Sequence, residues 1–175
     1  NKTILREVYL NKEVAAAEDY KNAVLKDEKE QIKNVGENFD SLTAPMTLAK
    51  AGDLYKYKKS VKYVTANVTE TPLTGGTDIA KTDTIAAEQT NVITVVHVYE
   101  LLGKEEVEKT VSVEYEGGEY VQDGVSTRPT VSVHLKKETA NGLELVETKN
   151  ETGMVNFGNK PKYDQDGNEI KYVFE

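Results

Sequence analysis

From Asn91 to the last residue, the chain reads as a series of short alternating segments separated by Gly and Asn turns, and this pattern restricts the fold more than any other feature. "NVITVVHVYELL" (91–102) is the strongest of them. Ile93, Val95, His97 and Tyr99 share one face, and Thr94, Val96 and Val98 share the other, so both faces read as buried. "VEKTVSVEYE" (107–116), "TVSVHLKK" (130–137), "LELVET", "MVNF" and "EIKYVFE" follow, with Gly103, Gly117-Gly118, Asp123-Gly124 and Asn141-Gly142 between them. Short strands at regular spacing with such turns predict an all-β sandwich. Asp164–Glu169 superficially resembles a calcium loop, but the glycine falls at the fourth position and no ligand stands at the twelfth. Asp166-Gly167 predicts a hairpin turn instead.

The first half of the chain has a different texture. Asn11 is a good N-cap, Ala15–Ala17 favour helix, and Val14, Ala17, Tyr20 and Val24 make a narrow apolar stripe. These predict one helix over residues 11–35, stopped by Gly36, with "KDEKEQ" as its solvated face. Residues 36–53 read as loop or short helix, and "LYKYKKSVKYVTANV" (54–68) as a strand. The expected organisation is an N-terminal α+β or β region over 1–105 and a β-sandwich over 106–175, mainly β overall.

Composition narrows the function classes. A formal net charge of -8 and only two arginines, Arg6 and Arg128, argue against nucleic-acid binding, which needs clustered cations. No apolar run is long enough to cross a bilayer as a helix. With no cysteine, disulfides, thiolate metal sites and cysteine nucleophiles are excluded. His97 and His134 sit inside separate strand patterns and read as packing or surface residues, and no phosphate-cradling Gly loop opens a helix. The chain therefore reads as non-enzymatic, without cofactor or metal. Beginning at Asn1 without Met, it reads as a processed piece of a longer protein.

"STRPTVSVHLKK" followed by "MVNFGNKPKYDQDGNEIKYVFE" resembles the B-type repeat domain of the collagen-binding cell-wall adhesins and pilins of Gram-positive bacteria. Arg128, Pro129, Thr130, Val131, Val133 and Leu135 carry the first block. Phe157, Asn159, Pro161, Lys162, Tyr163, Asp164, Gly167, Ile170 and Tyr172 carry the second, with Lys160 where Leu is usual. The resemblance covers about residues 107–175. It implies an inverse immunoglobulin-like sandwich in an extracellular, cell-wall-anchored surface protein, usually as a stalk module. It also implies a crosslink found in many such domains, in which a Lys of the first strand bonds to an Asn or Asp of the last beside a buried acid. Here Val113 stands at the Lys position. Lys109 lies on the same strand at an even offset, Glu175 falls one position before the acid, and the acceptor strand would follow Glu175. Lys109 and Glu175 are the nearest candidates, and the expectation is that no such bond forms.

Two functions stay open. One is a structural module, self-assembling into a fibre or joined to neighbouring domains of the same surface protein. The other is a ligand-binding head within 1–105 that takes a host matrix protein or glycan, with Tyr55, Tyr57 and Tyr63 as contact candidates beside their plain reading as strand packing. The groove beside the final strand needs a partner: residues beyond Glu175, the segment "TILREVYL", or a strand of another molecule. Ile4, Val8 and Leu10 make that segment a candidate donated strand.

Overall fold

A computed structural model of the chain describes residues 1–14, 22, 23, 25, 27–67, 73, 75–88, 91–114, 121, 122, 125, 126 and 128–175. The protein is mainly β. It divides into two compact units, Asn1–Gly103 and Lys104–Glu175.

The N-terminal unit is built on one sheet of six strands: β1 (Lys2–Leu10), β2 (Glu28–Asn34), β3 (Thr47–Lys50), β4 (Asp53–Thr65), β5 (Thr77–Ile79) and β6 (Val92–Lys104). Its order is β2-β1-β6-β4-β3, with β5 also on β4. β1 and β6 lie at the centre and run parallel, with Tyr9 opposite His97. Near-continuous apolar runs belong in strands covered on both faces, and both faces are covered here. Val8, Leu10, Val61, Tyr63, Val96 and Val98 pack with Val14 and Ala23 on one side. On the other side Leu5, Ile93 and Val95 pack under Phe39, Leu42, Ile85 and Ala87. Tyr9, Tyr55 and Tyr99 continue that layer with Leu25 and Ala44. The two covering segments hold each other antiparallel. Phe39 N–H donates to Ile85 O at 2.9 Å and Ala87 N–H to Glu37 O at 2.8 Å.

Two expectations are corrected in this unit. The helix over 11–35 does not extend through its second half: Glu28–Asn34 is an edge strand, antiparallel to β1, with Ile32 opposite Ile4. The rest of that helix falls largely on residues 15–21, 24 and 26, which lie outside the described residues. Ile4, Val8 and Leu10 do not form a donated strand. They belong to β1, which is paired on both edges within its own unit, by β2 and β6. A strand whose backbone groups are satisfied on both sides has none left to offer another sheet.

Residues 36–53 also hold more order than a loop. β3 and β4 form a hairpin through Ala51-Gly52, both at positive φ (53° and 81°). That is the two-residue turn whose twist matches antiparallel strands.

The C-terminal unit has β7 (Glu106–Ser112), β8 (Val121–Gln122), β9 (Val125–Ser126), β10 (Val131–Thr139), β11 (Gly142–Glu151), β12 (Met154–Pro161) and β13 (Tyr172–Phe174). β11-β10-β13 form one sheet, β12-β7 a second, and β8-β9 a third. Val133 and Leu135 of β10 and Val155 and Phe157 of β12 are buried together, with Val111, Val113, Val131, Tyr172 and Phe174 partly buried around them. One core therefore draws on both larger sheets. Between β12 and β13, Tyr163 bridges Glu169. There Asp164 Oδ1 accepts the N–H groups of Asp166 and Asn168, each at 2.9 Å. The side chain that a calcium loop would aim at the ion is used to fix a turn.

Candidate functional site

Among the described residues of the N-terminal unit, two groups of chemistry-bearing side chains lie on opposite faces of the central strands. On the face carrying Leu5, Tyr9, Ile93 and Tyr99, strand alternation also places Glu7 of β1 and His97 of β6. From β4 the same face receives Tyr55, Tyr57 and Ser60. The step from Tyr57 to Ser60 is three residues, so β4 departs there from period two, as one extra residue in a strand allows. The result is a continuous relay. Tyr57 OH lies 2.7 Å from Ser60 Oγ, Ser60 Oγ 2.6 Å from His97 Nδ1, and His97 Nε2 3.0 Å from Glu7 Oε1. Ser60 and His97 are fully buried, and Glu7 nearly so. The Tyr9 ring sits 5.0 Å from the imidazole.

A serine, a histidine and a carboxylate in line form the skeleton of a nucleophilic triad. The surroundings give this one a different role. Ser60 is 0% exposed and is not among the described residues lining the cleft beside Tyr63 or the cavity beside Ile85 and Ile93, so its Oγ is enclosed by protein. Its hydroxyl is already held between a phenol and the imidazole. With the His97 proton on Nε2, each donor has an acceptor in order: Tyr57 to Ser60, Ser60 to Nδ1, Nε2–H to Glu7. Among the described residues no buried side-chain nitrogen or oxygen lacks a partner. A satisfied buried network ties its strands together.

The second group lines an open cleft of about 320 Å³ on the opposite face. Val61, Val96 and Val98 floor it, and Tyr63, Lys59, Glu13 and Asp78 supply its polar wall. Lys59 Nζ lies 2.9 Å from Glu13 Oε1. The hydrogen bond from Lys59 holds the Glu13 carboxyl below its ordinary value, and Glu13 in turn raises the Lys59 ammonium. Burial pushes the Tyr63 phenol above its ordinary value; the Lys59 ammonium opposes the rise, and the Glu13 and Asp78 carboxylates add to it. Gly76 lies flat against the wall: a Cβ there would come within 2.6 Å of both Tyr63 Cε1 and Val61 Cγ1. Only glycine lets the backbone pass so close to the ring.

Of the tyrosines picked out in the sequence, Tyr55 is buried in the cluster with Tyr9 and Tyr99. Tyr57 is half-buried, its ring edge-on to Tyr99 at 5.8 Å and its hydroxyl on Ser60. Both pack within this unit, Tyr55 wholly and Tyr57 in part. Tyr63 borders a cavity. In the C-terminal unit Lys109 and Glu175 are not brought together. Lys109 sits on the core-facing side of β7, its Nζ 5.1 Å from the Tyr172 ring centroid. Glu175 points the other way and pairs with Lys136. Alternation is the cause: Tyr172 and Phe174 take the core face, so Glu175 takes the outer one.

Among the described residues no group of three or more His, Asp or Glu side chains is placed to hold a metal ion. Nor is any helix among them long and apolar enough to cross a membrane. No protein-family model matches the chain, and neither a curated protein nor a solved structure matches it. Glu7 and Ser60 do not stand out in the sequence as Tyr63 does. The signal for Glu7 is there, an acid between Leu5 and Tyr9 on an apolar face. That for Ser60 is hidden by the irregularity in β4.

Proposed function

We propose that the chain is a non-catalytic structural module of a bacterial cell-surface adhesin or pilus-like fibre, with its C-terminal unit an inverse immunoglobulin-like sandwich. The observation that carries this is where the family-like residues lie. Val133 and Leu135 from the first block and Phe157 and Tyr172 from the second belong to one core shared by two sheets. The Tyr172 hydroxyl donates to Pro161 O at 2.6 Å, tying the two ends of the second block. Residues of a motif that meet around one core are what a scaffold requires, whereas a binding loop would hold them at the surface. A formal net charge of -8 suits a module that stays soluble between its neighbours.

A second reading, favoured by the Tyr63 cleft, is that the N-terminal unit is a ligand-binding head mounted on that sandwich. Purified protein separates the two. Sedimentation over rising concentration and binding to immobilised host matrix proteins are measured side by side. The structural reading expects end-to-end association or an inert monomer, with no saturable matrix binding. Saturable binding to a matrix protein or glycan would overturn it in favour of the head.

A further inference from the structure

The cleft beside Tyr63 has a chemical character that narrows its occupant. Its floor is aliphatic, built from Val61, Val96 and Val98. Among its described lining residues the one cation is Lys59, which pairs with Glu13 at 2.9 Å. Asp78, an exposed carboxylate on β5 opposite Val61, is the second acid of the wall, so two carboxylates face one ammonium and the wall is net negative. The Tyr63 ring lines the same wall, and a phenol oxygen can accept a hydrogen bond. An aliphatic floor ending in a carboxylate and a phenol oxygen suits an alkyl stem with a cation at its tip. A compact ammonium with three donors can satisfy both oxygens, whereas a planar guanidinium fork is suited to a single flat carboxylate. A net charge of -8 favours encounter with basic partners.

We propose that this cleft receives a lysine side chain presented by a protein partner, its stem on Val61, Val96 and Val98 and its ammonium between Asp78 and the Tyr63 hydroxyl. The proposal rests on the binding-head reading and names the group that head would recognise. A protein segment is favoured over a free amine because the cleft, at about 320 Å³, holds more than one side chain. The flanking peptide enters with it. Gly76 serves the site by letting the backbone close on Tyr63 without displacing the ring.

The test uses the full chain, isotopically labelled, titrated with a capped Gly-Lys-Gly peptide while backbone amide resonances are followed. The isosteric norleucine peptide, which keeps the stem and loses the charge, and free 1,5-diaminopentane run beside it. The expected result is saturable shifts at Tyr63, Gly76 and Asp78 with the lysine peptide, little response to norleucine, and weaker binding of the free diamine. Asp78→Asn, at an exposed position that should fold normally, should weaken the lysine peptide about tenfold, the scale of one charge-assisted hydrogen bond. Equal response to norleucine, or binding unchanged in Asp78→Asn, would overturn the proposal. A diamine that binds as well as the peptide would also overturn it, assigning the cleft to a small cation. A matrix protein that binds wild type and Asp78→Asn alike would leave the head standing and remove the lysine from it.

Discussion

The two units differ in what they bury. In the N-terminal unit a central parallel pair is covered on both faces, and the interior holds Thr3, Glu7, Ser60, Thr65, Thr94 and His97 along with its apolar side chains. In the C-terminal unit the buried hydrophobic residues are Val133, Leu135, Val155 and Phe157, and no polar side chain among its described residues joins them. A thin core between two small sheets can be filled from one face of each strand, so its polar residues all find water. A sheet covered on both sides has nowhere else to put them, and each must then find a partner inside. The Tyr57–Ser60–His97–Glu7 relay is that solution, and it joins β4, β6 and β1 in one register.

The contrast can be broken most directly at the thin core. Leu135→Ala removes a fully buried side chain from a cluster with few neighbours to fill the gap, and should cost about 2–5 kcal/mol. Because each unit has its own core, hydrogen exchange should show β10 to β13 losing protection while β1 and β6 keep theirs. Loss of protection throughout would mean that the units do not fold separately.

Glu7→Ala sharpens the same contrast from the other side. It strands the His97 Nε2–H in a dry interior and should cost the N-terminal unit about 1–3 kcal/mol, read from denaturant unfolding, with C-terminal amides unaffected. Ser60→Ala together with Glu7→Ala should cost less than the sum of the two single changes, since both act on one network.

Alkaline pH tests the buried phenols. Burial, with Glu7 and Asp27 adding to it, pushes Tyr9 from 10.0 up to about 12, and burial raises Tyr99 as well. The folded state keeps protons that the unfolded state gives up, so stability falls as pH rises above 10, with the share owed to Tyr9 lost by about 12 and that of Tyr99 still falling beyond it. In the C-terminal unit Tyr172 is also raised by burial, but it is only half-buried. Tyrosinate absorbance during stepwise unfolding should show the N-terminal unit giving way first. The smallest effect is at Ala51, whose φ of 53° is left-handed. Ala51→Gly should raise the stability of the N-terminal unit by about 1 kcal/mol, as relief of that backbone strain.

Much of the strand pattern is legible in the residues themselves. β4, β6, β7, β10, β12 and β13 follow from alternation bounded by Gly and Asn, because those strands pack an apolar face; β11 alternates as well, but its Leu143 and Leu145 are exposed. β2 is not legible. It is an edge strand of sequence "EKEQIKN", with Ile32 exposed, and charged edge strands carry no apolar alternation to read. β1 is visible as a strand but its place is not: Ile4, Val8 and Leu10 say which face is apolar, not which neighbour they meet. Of the cleft, Tyr63 stands out, while Lys59, Glu13 and Asp78 lie far apart in the chain, and charged residues are too common here to single out.

Ser60, His97 and Glu7 brace three strands of the N-terminal unit from inside. A fluorophosphonate that phosphonylates reactive serines, applied to the folded chain and followed by intact mass, tests this in one step. The account predicts an unchanged mass, because Ser60 Oγ is enclosed and already hydrogen-bonded to His97 and Tyr57. A stoichiometric adduct on Ser60 that disappears in His97→Ala would contradict it and make the relay a nucleophile.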